Sequence, residues 1–100
     1  MAFKIIWTEK AQKDRLKILQ YWIDRNKSTL FAAKLNEIFN ERVELLAQYP
    51  NLGKKTDMKQ VRAHVVRKYF IFYKLTEKTI VITSIFDTRQ DSGKLKRMRH

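Results

Sequence analysis

The sequence predicts an α+β fold in the order β-α-α-β-β-β, an antiparallel sheet with a two-helix hairpin packed on one face. Three observations carry this expectation. An aromatic and β-branched run opens the chain. Helical periodicity then holds from residue 11 to residue 49 with a single break. From residue 60 to residue 86 the pattern is strand-like, interrupted twice by short polar turns. With 100 residues, two glycines and one proline, one domain spanning 1–100 is expected.

Phe3-Lys4-Ile5-Ile6-Trp7 reads as the first strand, since only Lys4 is polar. Thr8 suits a helix N-cap, and Glu9 suits the positive end of the helix dipole. From Ala11 to Ile23 the apolar residues Ala11, Leu16, Ile18, Leu19, Trp22 and Ile23 share one arc, with Lys13, Asp14, Lys17 and Asp24 off it. Asn26-Lys27-Ser28 breaks the pattern, and Ser28 is placed to cap a second helix. That helix is expected from Thr29 to Tyr49, with Phe31, Ala32, Leu35, Ile38, Phe39, Val43, Leu45, Leu46 and Tyr49 as its stripe. Pro50 ends it, because proline disfavours a helical residue before it. The short link makes the two helices antiparallel neighbours.

Residues 51–60 are polar and basic and read as a surface loop, with Gly53 supporting a turn. Three strands follow, over 60–66, 69–75 and 79–86, with breaks at Arg67-Lys68 and Thr76-Glu77-Lys78 short enough for hairpins. Along the middle strand, alternation separates Tyr69, Ile71 and Tyr73 from Phe70, Phe72 and Lys74, and one set must pack under the helices. The basic end, Lys94 to His100, reads as either a short helix or a tail.

Charge is the dominant feature. Twenty-two Lys and Arg against ten Asp and Glu give +12, which attracts polyanions or an acidic protein. The apolar fraction of 44% argues against a disordered basic tail. There is no cysteine, which excludes disulfides and thiolate metal sites and fits a reducing cytoplasm. His64 and His100 are far apart, so no metal and no cofactor are expected. The first seven residues are too short an apolar run for a secretory leader. No window reaches the roughly 18 apolar residues of a membrane span, so a cytoplasmic protein with no membrane partner is expected.

No glycine-rich phosphate loop, nucleophile elbow or His-Glu-x-x-His is present. What remains is a concentration of cations near strand ends: Lys54, Lys55, Lys59, Arg62, Arg67, Lys68 and Arg89, with Arg97 in the basic terminus. Arginine binds phosphate oxygens bidentately, and such a group stabilises charge on a phosphorane. Arg62 falls on the opposite face from Val61, Ala63 and Val65. Tyr69, Phe70, Phe72 and Tyr73 are candidates for stacking on bases or for the core. Tyr69, Tyr73 and His100 are candidate acid/base groups.

The order of elements and four motifs resemble the RelE/ParE toxin superfamily. They are Thr8-x-x-Ala11-x-x-Asp14-x-Leu16; Leu46-x-x-Tyr49-Pro50-x-x-Gly53; Arg62-x-x-Val65-Val66-x-Lys68-Tyr69-x-Ile71-Phe72-Tyr73; and Ile80-Val81-Ile82-x-x-Ile85-Phe86-Asp87-Thr88-Arg89-Gln90. The resemblance implies the toxin of a type II toxin–antitoxin system, neutralised by a small acidic antitoxin that covers its grooves and basic surface. RelE-like members cut messenger RNA in the ribosomal A site. That implies Arg62 and Arg89 as phosphorane-stabilising arginines and Lys55 or Lys54 as loop lysines, with no metal needed; Lys59, Arg67, Lys68 and Arg97 are candidate nucleic-acid contacts by their charge. ParE-like members inhibit DNA gyrase and have no RNase site. Where the family's hairpin often has glycine, this chain has Arg67. On sequence alone the ribosome-dependent endoribonuclease ranks slightly ahead of the gyrase inhibitor, and a non-toxic nucleic-acid-binding module ranks third.

Overall fold

A computed structural model of the chain describes residues 2–88. Its elements are β1 (Lys4–Trp7), α1 (Glu9–Asn26), α2 (Leu30–Gln48), β2 (Lys54–Lys55), β3 (Val61–Val66), β4 (Tyr69–Leu75) and β5 (Thr79–Asp87). The expected terminal helix or tail lies outside the described residues, as do Arg89, Arg97 and His100.

The helices and strands of the sequence reading are present, but the sheet is mixed rather than antiparallel. Its five strands run in the order β1-β5-β4-β3-β2. β1 pairs with β5 in parallel, and the other pairings are antiparallel. The cause is β2. Two lysines carry no strand signature, so residues 51–60 read as plain loop. Lys54 and Lys55 nevertheless pair with Ala63 and Arg62. That pairing adds one reversal of direction before the meander. Parity then brings β5 in alongside β1 rather than against it, across a connection that contains both helices and the strands β2, β3 and β4.

Local chemistry sets the helix ends. The Thr8 hydroxyl accepts the Ala11 amide at 3.1 Å and donates to the Thr83 carbonyl at 3.2 Å, so one residue caps α1 and ties it to β5. Lys27 closes α1 in the left-handed region, at φ 53°. Ser28, the expected cap of α2, sits one position ahead of the observed one. Thr29 is the N-cap of α2 and makes no side-chain cap bond, while the Ser28 hydroxyl accepts the Leu30 amide at 3.2 Å.

The main core lies between helices and sheet. Leu35, Phe39, Val43 and Leu46 of α2 meet Tyr69, Ile71 and Tyr73 of β4 and Ile80, Ile82 and Ile85 of β5. The step of three between Ile82 and Ile85 breaks strict alternation, and a bulge explains it. Phe72 faces Ser84 while Tyr73 faces Ile82, which leaves Thr83 as the extra residue. The Thr83 hydroxyl donates to the Phe72 carbonyl at 3.1 Å within this irregularity. α1 is a lighter cover: only Ala11 is buried, and Leu16, placed in the stripe by periodicity, is 64% exposed. Phe31, Leu45 and Tyr49 at the margins of the α2 stripe are also exposed. A second, smaller cluster of Val61, Ala63 and Phe72, with Met58, Phe70 and Phe86 against it, occupies the other face.

Candidate functional site

The end of the sheet at β2 and β3 is held by one side chain. Tyr73 is fully buried; its hydroxyl donates to the Pro50 carbonyl at 2.8 Å and accepts the Gly53 amide at 2.8 Å. The loop leaving α2 is therefore pinned to the middle of the sheet. Gly53 is needed for close approach rather than for an unusual φ. A Cβ there would stand 2.5 Å from the Tyr73 hydroxyl, 2.7 Å from its Cε1 and 3.0 Å from the Ala63 carbonyl. Burial pushes the Tyr73 phenol above its ordinary range, with the Gly53 amide and the Arg62 charge pulling partly the other way.

Arg62 extends this frame. Its Nη1 donates to the Gly53 carbonyl at 2.7 Å and reaches the Asn51 carbonyl at 3.4 Å. Cross-strand register puts Lys55 directly opposite Arg62, on the face carrying Tyr73. Lys54 sits opposite Ala63 and so turns to the other face. Beyond it, the Thr56 hydroxyl reaches the Val61 carbonyl at 3.0 Å, and the Val61 amide donates to the Met58 carbonyl at 3.1 Å. This tight turn holds Gln60 at φ 64° and presents exposed Lys59.

The cations predicted from sequence thus divide. Arg62 and Lys55 come together. Lys54 and Lys59 flank them. Arg67 and Lys68 form the exposed β3–β4 turn just past the end of β3, Arg67 five residues on from Arg62, or about 16 Å. Arg67 adopts φ 59°, the left-handed conformation that glycine favours at this position.

The two described acid/base candidates point inward. Tyr69 is buried, its hydroxyl accepts the Trp22 indole N–H at 2.7 Å, and its ring packs edge-on against Phe39. Tyr73 already both donates and accepts. The same side of the sheet holds residues that sequence reasoning did not connect. Arg42 of α2 donates from Nη1 to Nε2 of His64 on β3 at 3.2 Å. Desolvation, then the nearby Arg42 charge, holds the imidazole below its ordinary pKa. Exposed Tyr49 closes α2, seven residues beyond Arg42. No local motif links positions 42 and 64; the packing of α2 on β3 brings them together.

The ion pairs Lys10–Asp14, Lys13–Glu9 and Lys34–Glu37 lie along the helices. A groove of about 570 Å³ between α1 and the sheet is lined by Asp14, Lys17, Ile18, Tyr21, Tyr69, Ile85 and Asp87. There the Asp14 carboxylate accepts the Ile85 amide at 3.1 Å. No described helix is long and apolar enough to cross a membrane.

Helices on one face of a five-stranded sheet with this strand order are the architecture that toxins of the RelE/ParE superfamily also have. The family model for the ParE toxin of the type II toxin–antitoxin system parDE matches residues 5–92, and the chain belongs to that family. Among solved structures, the fold is similar to the chromosomal ParDE system of P. aeruginosa, with a TM-score of 0.72 at 22% identity, covering 86% of this chain and 96% of that one. It is also similar to the RelBE2 toxin–antitoxin complex of Mycobacterium tuberculosis, with a TM-score of 0.60 at 16% identity, over 87% and 99% of the two chains. The free E. coli toxin RelE, solved as an arginine double mutant, gives a TM-score of 0.59 at 16% identity, over 99% and 100%. No curated protein matches the sequence significantly.

Proposed function

We propose that this toxin arrests growth by binding a protein target, DNA gyrase, rather than by cutting RNA. A small acidic antitoxin would hold it silent in the cytoplasm. The inward commitment of Tyr69 and Tyr73 carries this reading. Both hydroxyls serve the core and the loop frame, while the described cations stand outside them on a rigid sheet. Such a surface is suited to recognition; proton transfer at a scissile phosphate needs a group within hydrogen-bond reach of the reacting atoms. The match to the ParE family model supports the same branch. An acidic antitoxin complements a chain of net charge +12.

A second reading rests on the register of Lys55 opposite Arg62. Together with Arg89, this pair would stabilise a phosphorane during ribosome-dependent cleavage of messenger RNA. One paired experiment separates the two. Purified gyrase is assayed for supercoiling with the chain present, and messenger RNA 5′ ends are mapped after expression without antitoxin. Blocked supercoiling with unchanged ends supports the gyrase reading. New ends within translated codons, with supercoiling intact, would replace it with the nuclease.

A further inference from the structure

Exposed apolar side chains gather where α1 turns into α2. Leu30, in the first turn of α2, is 81% exposed, and Tyr21 and Phe31 are each about half exposed. Trp22 joins the two rings, meeting Tyr21 edge-on at 5.1 Å and Phe31 at 4.9 Å. Trp22 is fixed in turn, because its indole N–H donates to the buried Tyr69 hydroxyl at 2.7 Å. The link between the helices is equally set: Lys27 closes α1 at φ 53°, and the Ser28 hydroxyl accepts the Leu30 amide. The tip is therefore ordered before any partner arrives, which lowers the entropy cost of binding. The aromatic residues of β4, by contrast, are taken up inside: Tyr69, Phe72 and Tyr73 are buried and Phe70 packs in the second cluster.

Cations rim the tip. Helical spacing places Lys17 and Arg25 one turn to either side of Tyr21, and Lys34 one turn after Leu30. Lys27 stands in the link itself. From residue 17 to residue 34 there are four cations and one carboxylate, Asp24, which accepts from Gln20 at 2.8 Å. Leu30 lies at the opposite end of α2 from the loop that Tyr73 pins, about 27 Å along the helix axis. This surface is therefore separate from the β2–β3 end of the sheet.

We propose that this hairpin tip docks on DNA gyrase, with Leu30, Tyr21 and Phe31 against an apolar depression of the enzyme and the rim cations against carboxylates around it. The docking rests on the gyrase reading above and adds the surface through which the toxin reaches its target. Aromatic rings and arginine are the side chains enriched where proteins meet, and a fixed apolar knob inside a polar rim is the form of a binding hot spot. The sign of the charge selects the partner. Residues 89–100 carry five cations and one acidic side chain, so neither the chain's own end nor a second copy complements the rim. A bilayer would call for inserted rings, and Trp22 is held inward by its N–H. A nucleic acid would satisfy the cations but offers no apolar recess for Leu30.

The test uses the full chain and purified gyrase. A supercoiling assay gives the half-inhibitory concentration, and biolayer interferometry gives the association and dissociation rates. Leu30→Ala combined with Tyr21→Ala should raise the half-inhibitory concentration about tenfold, chiefly through faster dissociation. Arg25→Glu combined with Lys27→Glu should slow association about tenfold and remove most of its salt dependence. Circular dichroism and the urea midpoint check that each variant is folded. Folded variants that bind and inhibit as strongly as the parent overturn the docking and leave the gyrase reading standing. A parent chain that neither binds nor inhibits gyrase overturns that reading, and the docking with it. Phosphatidylglycerol vesicles are the remaining probe: binding to them that the Leu30 and Tyr21 changes abolish, with gyrase inhibition intact, would replace the enzyme with a membrane surface at this tip.

Discussion

The Tyr73 hydroxyl is the point where loop and sheet meet, and its removal should be costly. Tyr73→Phe keeps the ring and deletes two hydrogen bonds. The Gly53 amide is on a buried residue and loses its acceptor, which costs ~1–3 kcal/mol. The Pro50 carbonyl is on a half-buried residue and recovers part of its loss from water, so the total should be about 2–3 kcal/mol. Gly53→Ala attacks the same contact from the other side. Its Cβ would sit 2.5 Å from the hydroxyl oxygen and 2.7 Å from Cε1, and relieving that overlap costs ~1–3 kcal/mol. The two changes share one atom. In the double variant the oxygen is gone, but Cε1 and the Ala63 carbonyl remain close. Its destabilisation should therefore fall short of the sum by about 1 kcal/mol. Urea unfolding of the four proteins measures this cycle, with shifts in midpoint at constant m. A Tyr73→Phe variant within ~0.5 kcal/mol of the parent, or strict additivity, would refute the latch.

Other consequences follow from single contacts. Asp14→Asn keeps an acceptor for the Ile85 amide but loses its charge, so it should cost ~0.5–1.5 kcal/mol and speed hydrogen exchange at Ile85; exchange unchanged there would count against the tie between α1 and β5. Arg67→Gly removes a side chain from a φ of 59° and should stabilise the fold by up to ~1 kcal/mol, read as a raised thermal midpoint. For pH, His64 titrates in the folded state below its ordinary value of 6.5, chiefly through desolvation and then through the Arg42 charge. The unfolded chain then binds more protons as pH falls. The stability contribution is whole above pH 6.5 and is lost as pH drops through the folded value. Urea midpoints between pH 8 and pH 5 should show this loss, and His64→Gln should flatten it.

The legible parts of the sequence were those where one residue type answers to one local demand. The apolar periodicities gave both helices and the three meander strands, because burial on one face imposes a period that the chain displays. Thr8 and Pro50 marked helix ends for stereochemical reasons that act within a few residues. β2 was hidden because two lysines join the sheet through partners nine and seven positions away, Ala63 and Arg62, and not through any strand preference of their own. Losing that one reversal was enough to misjudge the orientation of β1. Gly53 was recognised as a turn residue, yet its reason, contact with Tyr73, spans 20 residues and has no local trace.

The same distinction governs the candidate site. Charge type is visible in sequence, whereas convergence is decided by register. Lys54 and Lys55 are neighbours that the sheet sends to opposite faces, so only Lys55 joins Arg62. Tyr69 and Tyr73 looked like candidate acids because they flank cations in sequence; register turned them toward α2, where their hydroxyls find Trp22, Pro50 and Gly53 instead. Arg42 and His64 meet across 22 residues for the converse reason, since α2 packs over the face of β3 that carries His64. The helices neutralise part of their charge along their own length through i,i+3 and i,i+4 pairs. The β2–β3 end instead stiffens its arginine against loop carbonyls, which contribute no negative charge. Leaving the cations outward on a frame fixed by Tyr73 costs stability through self-repulsion, and an anionic partner bound to the native state would offset that cost.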